Sequence, residues 1–363
     1  QVEIPTPEVG TWLVRVKGTT VPQGPQDYSL VCEGCKPLDL GVCQSEVGGN
    51  APTVDGTTMA TGDDTATSPI PAGLGENDVE AAPAPAQPSA GEQWQRALEA
   101  ADGDPTGALI VTGAMTNGAG QLVLPVGESL RVDGGLSNSG LVELAGGIIA
   151  PAAVGVTNSA GGVIRGEGSV AATLANSGGL VHANGAAPLV IADLGGGNAL
   201  GGELRVDDGS TLLVQSAFAS SGNVVLRGAN AALNVGSLAN SGTLAGSGRV
   251  SNVVTNSGVV RAESGQLTLS GAGNANAAAG RLEAPTGGTL FFTQGLASNA
   301  GSIALTGGAL DNNDQALANA GSLLGRGTVR TGGLTNAGTI EFADGDSDVF
   351  GTVTNEADLD VTA

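Results

Sequence analysis

The sequence predicts an all-β fold, a right-handed parallel β-helix of about 13 coils, over residues 107–363. Glycine accounts for 62 of the 363 residues and hydrophobic residues for 40%, whereas aromatic residues account for only 2%. An Asn followed within a few positions by Gly recurs about every 20 residues from Asn117 to Asn336, and Asn355 with Glu356 continues this series, which has the period of a stacked solenoid. Apolar and polar residues alternate on both sides of this corner. The handedness follows from the general rule for parallel crossovers.

The repeated Asn corner predicts a ladder of stacked amides. Asn and Gly tolerate positive φ better than other residues, so we expect an Asn-x-Gly sequence to turn the chain between two strands. Corners that recur in every coil stack on one another, and their amides then hydrogen-bond at the spacing of the strands. Ser220 takes the Asn position in one degenerate repeat. The expected ladder residues are Asn138, Asn158, Asn176, Asn240, Asn256, Asn319 and Asn336.

The residues that flank each corner predict strands with one dry face. Apolar residues lie two positions before the Asn, as Leu136 does, and two and four positions after the Gly, as Val142 and Leu144 do. This alternation has the period of a strand and not of a helix. One coil loses more conformational entropy than its few buried aliphatic side chains return, so we expect the coils to fold only as a stack. Charged residues between the two inward positions are Glu143, Arg205, Arg261, Glu283 and Glu341.

Three segments precede the repeats. Residues 1–34 predict a β-hairpin, because Trp12, Val14 and Val16 alternate with the residues between them before a Pro-Gln-Gly-Pro turn. Residues 35–91 begin with cysteines and continue as a flexible linker rich in Pro, Gly and Ala. Residues 92–106 predict a short helix, with Trp94 and Leu98 four positions apart, that caps the first coil.

Two parts of the chain resemble families of exported proteins. Residues 10–16 and 21–31 resemble the last two strands of the β-sandwich that follows the catalytic domain in secreted subtilisin-like serine proteases, which implies that residues 1–34 end such a sandwich. The Leu-x-Asn-Ser-Gly sequences that begin at Leu136, Leu174 and Leu238, with residues 325–329, resemble passenger regions of bacterial autotransporters and related haemagglutinin-type adhesins. The second resemblance implies a surface-displayed β-helix and is specific for architecture more than for function.

Two features are typical of catalytic sites. Residues 56–60, Gly-Thr-Thr-Met-Ala, resemble the Gly-Thr-Ser-Met-Ala box of subtilisin-like proteases, with Thr58 at the position of the nucleophile. They lie in the predicted linker, and a triad also needs a His and an Asp. His182 is the single histidine of the chain, so chance similarity is the better interpretation. We expect His182 at a strand end, as a surface or otherwise satisfied side chain and not as a metal ligand.

Two clusters are candidates for cross-linking or metal binding. The three cysteines lie close together with no evident fourth metal ligand, which favours a disulfide with one remaining thiol over a three-thiolate site; they are Cys32, Cys35 and Cys43. Three alternating carboxylates resemble the start of a calcium loop, but the later positions lack its Gly and its Glu. We therefore expect a solvated acidic turn, with calcium as the weaker alternative, at Asp344, Asp346 and Asp348.

Charge and composition disfavour several classes of partner and function. The 35 acidic and 13 basic residues give a net charge of −22, which disfavours nucleic acid and anionic membranes as partners. No apolar run approaches the ~20 residues of a membrane-spanning helix. The sequence predicts a non-catalytic structural or adhesive passenger without a cofactor, secreted or held on a bacterial cell surface through regions outside this chain, whose partner is an extracellular protein or glycan.

Two alternatives remain. The first is an accessory C-terminal region of an exported subtilisin-like protease, whose catalytic domain would precede residue 1. The second is a β-helix enzyme that cleaves polysaccharides. The repeats lack Trp, Tyr and Lys, and sugar sites usually need aromatic platforms, so this composition disfavours the second alternative.

Overall fold

A computed structural model describes residues 108–362, which form a parallel β-solenoid of about 13 turns, with no helix in this range. The predicted fold class is confirmed. The predicted hairpin, linker, cysteine cluster, Thr58 and capping helix lie outside the described residues. The strands are β1 (Ala108–Val111), β2 (Met115–Asn117), β3 (Gln121–Pro125), β4 (Ser129–Val132), β5 (Leu136–Asn138), β6 (Leu141–Ile149), β7 (Val156–Ser159), β8 (Val163–Ser177), β9 (Leu180–Ala183), β10 (Leu189–Asp193), β11 (Glu203–Asp207), β12 (Thr211–Ser220), β13 (Asn223–Asn240), β14 (Thr243–Val250), β15 (Val254–Asn256), β16 (Val259–Leu269), β17 (Asn274–Asn276), β18 (Arg281–Pro285), β19 (Gly288–Phe292), β20 (Leu296–Asn299), β21 (Ser302–Asp311), β22 (Ala316–Asn319), β23 (Ser322–Asn336), β24 (Thr339–Phe342), β25 (Asp348–Asn355) and β26 (Asp358–Val361).

One column of aliphatic side chains runs through the whole stack. Its members pair in parallel register from each coil to the next. The first twelve are at most 1% exposed, and Leu359 in the last described coil is 47% exposed. The core therefore belongs to the stack and not to any single coil. The column consists of Leu122, Val142, Ile164, Val181, Leu204, Val224, Leu244, Val260, Leu282, Ile303, Leu323, Ile340 and Leu359.

A second buried column precedes the Asn corner, as predicted. Leu136, Val156 and Leu174 follow one another in register and are at most 3% exposed. Val353 holds the same position in the last described coil but is 40% exposed. These apolar side chains lie inside the stack and stabilise the end of each strand that leads into the Asn corner.

Close approach between coils requires the corner glycine at Gly242, whereas Gly178, in the corner of Asn176, has a positive φ of +101°. The expectation of positive φ at the ladder asparagines is wrong, because the non-glycine residues with positive φ in the described part are Asn252, Asn313, Asp314 and Asp344. A Cβ at Gly242 would lie 2.1 Å from the carbonyl oxygen of Gly222. A residue without a side chain therefore allows successive corners to stack at strand spacing.

Positive φ also occurs at the next corner along the coil. Gly166, Gly246 and Gly325 each pair in register with the preceding coil's second inward Leu. Their φ angles are +109°, +119° and +96°. A Cβ on any of them would lie within 2.2 Å of that Leu's carbonyl oxygen. Both constraints restrict these positions to glycine.

Candidate functional site

The asparagine ladder is the most regular polar feature of the described residues. Ten bonds link successive asparagines, in each of which the Nδ2 of one Asn donates to the Oδ1 of the next at 2.6–2.9 Å. The members from Asn117 to Asn336 are at most 1% exposed. The predicted ladder is confirmed, and it extends to further asparagines. Its Asn members are Asn117, Asn138, Asn158, Asn176, Asn198, Asn240, Asn256, Asn276, Asn299, Asn319, Asn336 and Asn355.

Each ladder amide from Asn117 to Asn336 makes a second bond, to the first residue of the strand that follows the corner in the next coil. Asn117 Nδ2 also donates to the Leu141 carbonyl oxygen at 3.1 Å, and Asn198 Nδ2 donates to that of Asn223 at 3.0 Å. Both amide protons are thus used between one coil and the next. Asn117 Oδ1 and Asn240 Oδ1 are the two ladder oxygens among the described residues that have no hydrogen-bond partner. The other buried amides are bonded, and such groups stabilise a unique arrangement, so the ladder sets the register of the stack.

A row of ionisable side chains lies on the outer surface of the strands that follow the ladder. Glu143, Arg165, His182 and Arg205 project from four consecutive coils and pair in register. We call these four residues the charged row. They alternate in sequence with the buried column, so the dry inner face requires them to point outward. The predicted outward position of Glu143 and Arg205 is confirmed.

Carboxylates neutralise the cations of the charged row. Arg165 Nη2 lies 2.8 Å from Glu143 Oε2, and Arg205 Nη2 lies 2.6 Å from Glu203 Oε1. The Arg165 side chain is 40% exposed and that of Arg205 is 23% exposed. A guanidinium carries five N–H donors in a rigid fork, so donors that are not used by these carboxylates face solvent and can contact a ligand.

His182 lies in the middle of the charged row. Its Nε2 is 2.8 Å from Asp207 Oδ2, and its side chain is 15% exposed. His182 is thus a satisfied side chain, one of the two predicted alternatives, and its register neighbours on the outer face are Arg165 and Arg205. No group of three or more His, Cys, Asp or Glu side chains suited to a metal ion occurs within residues 108–362.

The acidic turn at Asp344, Asp346 and Asp348 already contacts a cationic side chain. Asp344 accepts a 2.8 Å hydrogen bond at its carbonyl oxygen from Arg326 Nη1. The Ser347 hydroxyl oxygen accepts a 3.3 Å bond from the Gly327 amide. These bonds tie the turn to the preceding coil. The solvated acidic turn, with calcium as the weaker alternative at its three carboxylates, stays a prediction.

Sequence reasoning missed a second set of buried polar side chains. Asn274 is 1% exposed, and its Oδ1 accepts a 2.9 Å bond from the Val254 amide. Its Nδ2 donates to the Gly271 carbonyl oxygen at 2.8 Å. The available signal was an Asn at a position two before the ladder Asn276, where other repeats carry an apolar residue. The Asn274 side chain therefore bonds two backbone groups, the Val254 amide and the Gly271 carbonyl oxygen, which a Leu or Val side chain could not bond.

Comparison with known proteins gives no family for this chain: no protein-family model, curated protein or solved structure matches it. Within the described range there is also no helix long and apolar enough to cross a bilayer.

Proposed function

We propose that this chain is a non-catalytic, exported structural or adhesive passenger that presents the outer faces of a rigid solenoid to an extracellular protein or glycan. The observation that supports it is the single aliphatic column, in unbroken parallel register from Leu122 to Leu359. Stacking of this kind holds surface side chains at fixed spacing over many coils. A rigid scaffold of this kind can present binding side chains and hold them away from a cell surface.

The charged row is the face that we propose for ligand contact. Beside it, Leu141, Val163 and Leu180 form a second outward column in register, and all three are half-buried. Guanidinium groups next to an aliphatic strip give the mixed polar and apolar character of many recognition surfaces. The two arginines would donate to carboxylate or hydroxyl groups of the partner.

Binding of the full chain to arrays of glycans and extracellular proteins tests this proposal. We expect saturable binding that weakens when Arg165 and Arg205 are both changed to Gln. The matched control changes Arg281 and Arg326 to Gln, which removes the same charge elsewhere on the solenoid and should leave binding unchanged. Absence of saturable binding on both arrays, or equal loss in the two double variants, would contradict the proposed face.

Two further measurements separate the proposal from its alternatives. Antibody labelling of intact cells of the source organism should detect the chain without permeabilisation, and labelling only after permeabilisation would contradict export. Incubation with polysaccharides should release no reducing or unsaturated sugars. Sugar release that is lost on a His182→Ala substitution would replace the passenger proposal with the enzyme alternative.

A further inference from the structure

The asparagine ladder is interrupted at Ser220. This residue is fully buried and accepts a 3.0 Å bond from Asn198 Nδ2 at its Oγ. On the other side, Asn240 Oδ1 is buried and has no hydrogen-bond partner among the described residues. An unpaired buried carbonyl oxygen is costly, so its surroundings require a donor.

The backbone spacing between the coils is not reduced at Ser220. Ser220 and Asn240 pair in register, and the Ser241 amide donates to the Ser220 carbonyl oxygen at 2.8 Å. At the next step, where the ladder is intact, the Ser257 amide donates to the Asn240 carbonyl oxygen at 2.7 Å. The coils are therefore equally close at both steps. Ser has two fewer side-chain heavy atoms than Asn, so at equal coil spacing it fills less of the volume between the coils than a ladder Asn does.

The intact steps of the ladder show which acceptors an Asn side chain at position 220 would bond. Asn240 Nδ2 donates to Asn256 Oδ1 at 2.8 Å and to the Val259 carbonyl oxygen at 3.1 Å. Thr243 pairs in register with Val259. At the Ser220 step, one coil earlier, the acceptors that correspond to Asn256 Oδ1 and the Val259 carbonyl oxygen are therefore Asn240 Oδ1 and the Thr243 carbonyl oxygen. The missing amide would have served both of them with its two protons.

We propose that one buried water molecule takes the place of this missing amide. Its two protons are donated to Asn240 Oδ1 and to the Thr243 carbonyl oxygen, and its oxygen accepts the proton of the Ser220 hydroxyl. That hydroxyl otherwise donates only a long bond of 3.4 Å to the Gly222 carbonyl oxygen, so little is lost when it turns to the water. Three polar partners are the usual complement of a buried water, and the space left by two heavy atoms matches the small volume that it needs.

High-resolution crystal structures of the full chain and of its Ser220→Asn variant test this proposal. In the unmodified chain we expect one ordered water within hydrogen-bonding distance of Ser220 Oγ, Asn240 Oδ1 and the Thr243 carbonyl oxygen. In the variant, the new Nδ2 should replace that water. No density between Ser220 and Asn240, or a direct bond between their side chains, would overturn the proposal.

The variant also supplies a measurement in solution. Ser220→Asn should raise the melting temperature, because it connects the two halves of the ladder and releases the water. The matched control is Ser221→Asn at the neighbouring exposed position, which should leave the melting temperature unchanged. Water density that persists at the same place in Ser220→Asn would show that the site is not the amide position and would overturn the assignment.

Discussion

Replacing Asn256 by Ala removes one complete rung from the interior of the ladder. Asn256 is 1% exposed. Its Nδ2 donates to Asn276 Oδ1 at 2.9 Å and to the Arg281 carbonyl oxygen at 3.2 Å. Its Oδ1 accepts from Asn240 Nδ2 at 2.8 Å. The substitution therefore deprives both neighbouring coils of side-chain hydrogen bonds at a buried site.

The expected cost follows from the groups left without partners. Asn240 Nδ2 keeps its bonds to backbone carbonyl oxygens, whereas Asn276 Oδ1 loses its ladder donor. A buried polar group without a partner costs about 1–3 kcal/mol, and the lost bond to the Arg281 carbonyl oxygen adds a similar term, so we expect about 2–5 kcal/mol. The matched control Asn355→Ala removes an equivalent bond at an exposed residue, where water replaces it, and should cost at most about 1 kcal/mol.

Amide hydrogen exchange is the appropriate assay because coils of a solenoid open locally and not in one step. A loss of 2 kcal/mol or more corresponds to a fall in protection of over about tenfold. We expect this fall in the strands around Asn240, Asn256 and Asn276 of the Asn256→Ala variant and not in the same strands of Asn355→Ala. Equal protection in the two variants would refute the conclusion that the ladder holds the coils in register.

Three substitutions test other features by thermal or urea unfolding. Gly246→Ala puts a Cβ 1.9 Å from the Leu226 carbonyl oxygen and should destabilise more than Gly127→Ala, whose Cβ meets nothing within 4 Å; equal effects would contradict the close-approach argument. Leu244→Ala should cost about 2–5 kcal/mol, whereas Leu200→Ala, at a residue 86% exposed, should cost almost nothing. Arg165→Gln should cost under about 1 kcal/mol, and a larger cost that persists at high salt would contradict a surface ion pair.

The repeat and its buried columns could be predicted from the sequence because both depend on local spacing. Alternation of residues such as Val142, Glu143 and Leu144 identifies inward and outward positions without any knowledge of the neighbouring coil. The ladder follows from the same period, since positions equivalent in sequence become neighbours in a stack.

The pairing of individual surface side chains between neighbouring coils could not be predicted in the same way. Steps of the ladder range from 16 residues, between Asn240 and Asn256, to 23, between Asn276 and Asn299. The pairing of Arg165 with Glu143 depends on this variable register. The close approach at Gly242 could not be predicted for the same reason, because the carbonyl oxygen that excludes a side chain belongs to the preceding coil.

Disulfide trapping between adjacent coils tests the stacked register most directly. Val225 and Ala245 pair in parallel on the outer face, and paired strand residues lie within the Cα separation that a disulfide spans. With the three native cysteines changed to Ser, the double variant Val225→Cys with Ala245→Cys should oxidise readily. The variant shifted by two residues, Val225→Cys with Ser247→Cys, should not, and preferential cross-linking of that shifted pair would contradict the register on which the solenoid depends.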